Sequence, residues 1–200
     1  TGISHERFRP RVSETAMWMW GLYLLYTVLL ALLLSVGPMG TFDAICHTLS
    51  TVSTGGFSTV NDYAQLADTY SNCVIMAFMF LCGVNFALVL AVGKRNGWKA
   101  LKSNTTLKWY TMVVVITSLI ITARMLYQDI YANGTSVLSN QVLTNHAINA
   151  VFDTVSAITS TGFAAIDFEK YGTFVSFTLM VVMFFGGMAG SPQLRQFLGK

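Results

Sequence analysis

Residues 16–38, AMWMWGLYLLYTVLLALLLSVGP, contain no charged side chain. About 20 consecutive apolar residues suffice to cross the hydrocarbon core of a bilayer, so this run predicts a transmembrane helix. Trp18, Trp20 and Tyr23 stand near its first end, where interfacial aromatics gather. The rest of the chain agrees with a membrane setting. It is 54% hydrophobic and 10% charged, with a mean hydropathy of +0.56. A soluble domain carries about 25% charged residues. The net charge of +3 is too small to suggest nucleic acid as a partner.

Three further apolar segments follow. Residues 73–92 are expected to form a second spanning helix, 109–131 a third and 172–189 a fourth. Between the spans lie two shorter, semi-apolar stretches, 41–53 and 145–158, too short to cross. Thr41 is a candidate cap for the first, with Asp43 in its first turn. Each short stretch runs into a polar, glycine-bearing hairpin: STVSTGGFSTV at 50–60 and SAITSTGFAAI at 156–166.

The order is helix, short helix, hairpin, helix, and then the same again. Aligning Gly56-Phe57 with Gly162-Phe163 gives an offset of 106 residues. Over 43–57 against 149–163, five positions are identical and six are close swaps such as Val52 with Ile158. That match, centred on the same unusual element, indicates an internal duplication. The predicted units are 1–106 and 107–200, with the linker 93–108 between the helical parts.

Ten of the twelve Lys and Arg residues fall in the N-terminal segment, in 94–108 or at the C-terminal end. Asp43, Asp62, Asp68, Asp129, Asp153, Asp167 and Glu169 fall on the other side. The positive-inside rule then places the N-terminus and the linker in the cytoplasm, so both hairpins enter from outside. Acidic residues near their mouths would raise the local cation concentration.

Non-helical backbone at membrane depth is tolerated where it lines a watery cavity or is buried in protein. Ser, Thr and backbone carbonyls offer oxygen without a full charge, which suits a weakly hydrated monovalent cation. Glycine permits the backbone angles that aim successive carbonyls inward. Neither hairpin holds a carboxylate, which argues against a divalent site. The bland reading, a polar kink packed against a neighbouring helix, is weakened by finding two kinks in register.

Other features carry less. Cys46, Cys73 and Cys82 form no CxxC or Cys/His spacing, and Cys46-His47 reads as pore-helix packing. His146 reads as a loop or helix-start residue. No nucleotide-binding glycine motif occurs, and no catalytic constellation suggests an enzyme. The chain opens on Thr1 without a signal-peptide pattern and is expected to be part of something longer.

Several motifs together bring a family into view. FDAICHTLSTVSTGGFST (42–59), CGVNFAL (82–88), VFDTVSAITSTGFAAIDF (151–168) and FFGGMAGS (184–191) resemble the Trk/Ktr/HKT superfamily of potassium transporters, most closely its bacterial TrkH branch. Residues 11–34 resemble that family's helix before the second pore loop. The resemblance implies an all-α membrane protein of two helix–pore loop–helix repeats, with four transmembrane helices and two re-entrant pore helices. Members carry four such repeats around one path, and this chain would supply the second and third.

The implied function is potassium uptake across the cell inner (cytoplasmic) membrane, with the potassium ion as the bound species. The filter glycines would be Gly56 and Gly162. Ser53, Thr54 and Gly55, with Thr159, Ser160 and Thr161, would supply coordinating oxygens. Gly186, Gly187, Ala189, Gly190 and Ser191 match the start of a loop that obstructs the ion path below the filter, and are expected to interrupt the last helix. Implied partners are the remaining pore repeats, membrane lipid, a second copy in a homodimer and a cytoplasmic nucleotide-binding regulatory subunit. The alternative reading is a sodium-coupled or broken-helix secondary transporter. Such proteins show inverted repeats, whereas these repeats run in parallel.

Overall fold

The computed structural model of the chain describes residues 9–60, 63, 68–84, 105–133 and 140–189. Among these residues the only regular structure is helical. Seven helices follow in order: α1 (Arg9–Val36), α2 (Thr41–Val52), α3 (Thr69–Gly83), α4 (Thr105–Asn133), α5 (Asn140–Ile158), α6 (Phe168–Tyr171) and α7 (Thr173–Ala189).

Two spans, Ala16–Val36 in α1 and Leu107–Tyr131 in α4, are long and apolar enough to cross a membrane. The apolar stretches Thr69–Gly83 and Thr173–Phe184 are shorter. At about 1.5 Å rise per residue, α3 falls short of a bilayer core of about 30 Å. It ends at Gly83 because Val84 turns extended, with φ −79° and ψ 140°. Residues 85–92 of the expected second span, the linker up to 104 and residues 1–8 lie outside the described residues.

Several boundaries differ from the sequence reading. α1 begins at Arg9, well before the apolar run. α3 begins at Thr69, because Asp68 caps it: the carboxylate accepts the Tyr70 and Ser71 amides at 3.1 and 3.3 Å. α5 begins at Asn140, five residues before the short stretch 145–158 read from the sequence. Thr41 does not cap α2. Gly40 occupies the cap, with no side-chain bond, and its carbonyl accepts the Ala44 amide at 2.8 Å.

The packing repeats as the sequence does. α1, α2 and α3 pack on one another, and so do their counterparts α4, α5 and α7. The halves meet chiefly where α3 lies along α5. Gly83 makes that approach close. A Cβ there would stand 2.5 Å from the Thr159 methyl and 2.8 Å from the Tyr110 hydroxyl. One core cluster runs through both halves, from Leu30, Leu34 and Ala44 across Ile75 and Met79 to Phe152 and Val155. A second, around Ile121, Met125, Val175 and Leu179, lies within the later half. Outside these cores, α1 turns Trp18, Leu24, Val28 and Leu32 outward. In a helix that spans a bilayer, such a face meets lipid tails.

Candidate functional site: the paired hairpins

The helices α2 and α5 end in the same way, residue for residue. In the first, the Thr54 amide donates to the Thr51 carbonyl at 3.1 Å and the Gly55 amide to the Ser50 carbonyl at 2.7 Å. In the second, Ser160 donates to Ala157 at 3.0 Å and Thr161 to Ser156 at 2.9 Å. This crossed pair of bonds is a Schellman motif, which closes a helix through one left-handed residue. Glycine usually fills that position. Here it is Thr54, with φ 53°, and Ser160, with φ 55°. Each such L-residue costs about 1–2 kcal/mol of steric strain.

Two residues further on, Gly56 and Gly162 again have positive φ, 67° and 98°. The limbs 53–60 and 159–167 are therefore non-helical, and their left-handed residues keep them from being uniformly extended. Left-handed residues at alternate positions re-aim successive carbonyls. The four positive-φ positions pair off at the offset of 106 residues seen in the sequence.

The limbs meet at the glycines. A Cβ on Gly56 would run into the Thr161 carbonyl oxygen and fall 3.0 Å from the Gly162 carbonyl carbon. Gly162 is roomier, its nearest neighbour being the Gly56 Cα at 4.0 Å. So Gly56, Thr161 and Gly162 are brought together. The side-chain hydroxyls are mostly engaged locally. Ser53 Oγ donates to the Ser50 carbonyl at 3.3 Å and Thr54 Oγ1 to the Ser53 carbonyl at 2.7 Å. Thr159 Oγ1 reaches the Val155 carbonyl at 2.8 Å and Thr161 Oγ1 at 2.7 Å. The backbone carbonyls are left as the principal oxygens the limbs can present.

Each returning limb is tied to its own short helix. His47, fully buried on α2, holds the Asp43 carbonyl through Nδ1 at 2.8 Å and the Ser58 hydroxyl through Nε2 at 3.2 Å. Because a carbonyl can only accept, Nδ1 carries the proton. Asp43 Oδ1 accepts the Thr59 hydroxyl at 2.6 Å. On α5, buried Asp153 accepts the Ala165 amide at 2.6 Å and the Ile166 amide at 3.1 Å. Sequence reasoning had placed His47 as packing and Asp153 only as one of the outer acids. The signal that pointed further was alignment: 47 and 153 coincide when the hairpins are overlaid.

The aromatic residue after each key glycine separates the two halves. Phe163, 4% exposed, stacks on His47 at 5.8 Å and on Tyr63 at 5.0 Å between ring centroids. Tyr63 in turn stacks on Phe152 at 5.3 Å. Its counterpart Phe57 is 80% exposed.

A polar cluster that the sequence did not suggest pins the later half. Asp129 on α4 accepts from His146 of α5 at 2.6 Å and from the Tyr171 hydroxyl at 3.4 Å, and its other oxygen forms an ion pair with Lys170 of α6 at 3.2 Å. His146, read from the sequence as a loop or helix-start residue, thus lies in the second turn of α5 and belongs to an ion cluster. Lys170 Nζ also meets the Tyr171 hydroxyl at 3.0 Å. That hydrogen bond, opposed by burial and helped by Asp129, holds the lysine pKa above its ordinary value.

The expected gate is helical where it is described. α7 continues through Gly186, Gly187 and Ala189, and Gly190 and Ser191 lie outside the described residues. A glycine inside a helix costs only about 1 kcal/mol, so small residues permit a break without imposing one. Among the described residues no group of three His, Cys, Asp or Glu side chains could hold a metal ion.

The potassium uptake protein TrkH of Salmonella typhimurium is 30% identical over 190 residues, covering 94% of this chain and 38% of the relative. TrkG of Escherichia coli is 27% identical over 187 residues, covering 93% and 36%. The crystal structure of the potassium transporter TrkH from Vibrio parahaemolyticus matches with a TM-score of 0.76 at 25% identity, over 90% of this chain and 37% of that one. The chain therefore spans less than two fifths of the proteins it resembles. The family model described as TrkH, cation transport protein, matches residues 5–193, and the chain belongs to that family.

Proposed function

We propose that this chain forms two of the repeats lining a potassium pathway through the cytoplasmic membrane, with Gly56 and Gly162 at the filter. The observation that carries this reading is the paired geometry of the hairpins. Two limbs with the same left-handed positions and the same helix-closing bonds meet backbone to backbone at these glycines. Carbonyl oxygens replace a monovalent cation's hydration shell without requiring a carboxylate at the ion. The C-terminal ends of α2 and α5 lie at the base of the limbs and bring partial negative charge there. The relatives' names specify potassium uptake, which supports potassium as the ion.

The remaining repeats of a longer protein would close the path. The uneven surface of the two halves supports this. α2 leaves Phe42, Ile45 and Leu49 exposed beside Phe57, whereas Val155 and Phe163, the counterparts of Leu49 and Phe57, are buried. The resemblance to the family keeps the segment from Gly186 as the proposed gate, here as part of a helix through Ala189. A homodimer and a cytoplasmic nucleotide-binding subunit complete the proposed assembly.

The test uses the full-length protein in a host deficient in potassium uptake, or in vesicles. Gly56→Ser and Gly162→Ser should each lower the potassium-to-sodium flux ratio by about tenfold, equivalent to about 1.4 kcal/mol of differential binding. Unchanged selectivity in both variants, at parental expression, removes these glycines from the filter.

A further inference from the structure

The proposed filter needs something to hold its returning limbs, and the limbs themselves are poorly suited to the task. They carry strained residues at Thr54 and Ser160, and beyond the helix-closing bonds at Gly55 and Thr161 no backbone–backbone hydrogen bond among the described residues holds 56–58 or 162–165. We propose that His47 and Asp153 are the positioning residues of the two hairpins, each suspending the outer half of its limb from its own short helix. This inference rests on the filter reading above and assigns a role to side chains that reading does not use.

The geometry is equivalent although the chemistry differs. Both residues stand at the same register, the ninth before the key glycine: 47 before 56, and 153 before 162. Both are shut off from solvent, at 0% and 2% exposure. Both reach the limb just beyond the glycine, at Ser58 in one case and at Ala165 and Ile166 in the other. A buried polar side chain is expensive unless its bonds are made, so each arrangement is held to one geometry.

The two struts differ in what they grip. Asp153 takes two main-chain N–H groups directly, so it fixes the backbone whatever the limb's side chains are. His47 works through a relay. Its Nε2 accepts from the Ser58 hydroxyl, and that oxygen accepts the Val60 amide at 3.2 Å. The first limb therefore depends on a serine side chain, with Asp43 and Thr59 as a second tie. The second limb has alanines at 164 and 165 and needs no such relay. His47 also stacks on Phe163 of the other hairpin, so it positions one limb along its length and braces the other from the side.

The experiment measures the potassium-to-sodium flux ratio of the full-length protein, normalised to protein in the membrane, for Asp153→Asn and Ser58→Ala. Asp153→Asn places an N–H where one backbone donor now points. Ser58→Ala removes the His47 relay and leaves every helix intact. The expected result is a fall of several-fold in the ratio for each, with potassium still carried. Ser58→Thr, which keeps the hydroxyl, should retain most of the parental ratio. Where Asp153→Asn fails to accumulate, Ser58→Ala decides. A parental ratio in Ser58→Ala overturns the shared role, including the case where only Asp153→Asn has an effect, because the lost charge then explains it. If the Gly56 and Gly162 variants do alter selectivity in the same assay, that failure falls on the struts and not on the filter.

Discussion

At the level of single residues, the hairpins hold two kinds of left-handed position with opposite chemical logic. Gly56 needs glycine twice over, for its φ of 67° and for the Thr161 carbonyl lying where a Cβ would go. Gly162 needs it for φ alone, since the space around it is open. Gly56→Ala should therefore destabilise the full-length protein more than Gly162→Ala. The difference should be about 1–3 kcal/mol, the usual cost of overpacking. Thermal stability of the two purified variants in detergent checks the order, and a larger loss at Gly162 would contradict it. Thr54 and Ser160 are the reverse case, with left-handed geometry imposed on residues that resist it. Such strain is retained where surrounding structure over-determines it and is common at functional sites. The glycines were legible in the sequence, because glycine-bearing polar stretches stand out between apolar runs. The left-handed Thr54 and Ser160 were not, since neither residue type announces that conformation.

Among the elements, what the sequence made plain was the identity of the helices, and what it hid was their ends. Hydropathy marks a run such as 16–38, but α1 extends back to Arg9 because polar residues continue a helix once it is nucleated. α3 starts at Thr69 through a side-chain cap outside the apolar window. Burial works against the charged form of Asp68. The hydrogen bonds from the Ser71 and Tyr70 amides outweigh it and hold the carboxyl below the usual carboxylate range. A depressed carboxylate pKa contributes stability above the group's unfolded value, and that contribution is lost as pH falls through the folded value. At neutral pH, Asp68→Ala should lower stability by about 1 kcal/mol, as loss of a cap does. Its deficit against the parent should shrink as pH drops below about 4, the ordinary carboxylate range. Parallel melting curves at neutral and acid pH would show this, and a deficit that grows on acidification would refute the capping account. The Asp129 cluster was illegible for a different reason. Its members are 17 and 42 residues apart in the chain, and only the fold brings them together.

For the molecule as a whole, the two halves share one build but differ in what covers them. α5 is covered by α3 of the preceding half, and Phe163 enters the seat formed by His47, Tyr63 and Phe152. In the proposed assembly α2 would stand in the same relation to a neighbouring repeat, and its face is bare at Phe42, Ile45, Leu49 and Phe57. A contact that is head to tail, not self-complementary, continues until the rotation closes. The arrangement thus predicts its own extension, with Phe57 seated in an aromatic pocket of a neighbouring repeat as Phe163 is seated here. The comparison of Phe57→Ala with Phe163→Ala in the full-length protein tests this. If Phe57 is seated, both substitutions should cost about 3–5 kcal/mol, the range for removing a buried phenylalanine side chain. If Phe57 instead faces solvent or lipid in the complete molecule, its substitution should stay within about 0.5 kcal/mol, as surface changes usually do. Phe163→Ala serves as the internal reference, because its seat lies wholly within this chain. A near-neutral Phe57→Ala beside a costly Phe163→Ala would mean that the neighbouring unit does not repeat the α3–α5 packing, and that the path closes by a different contact.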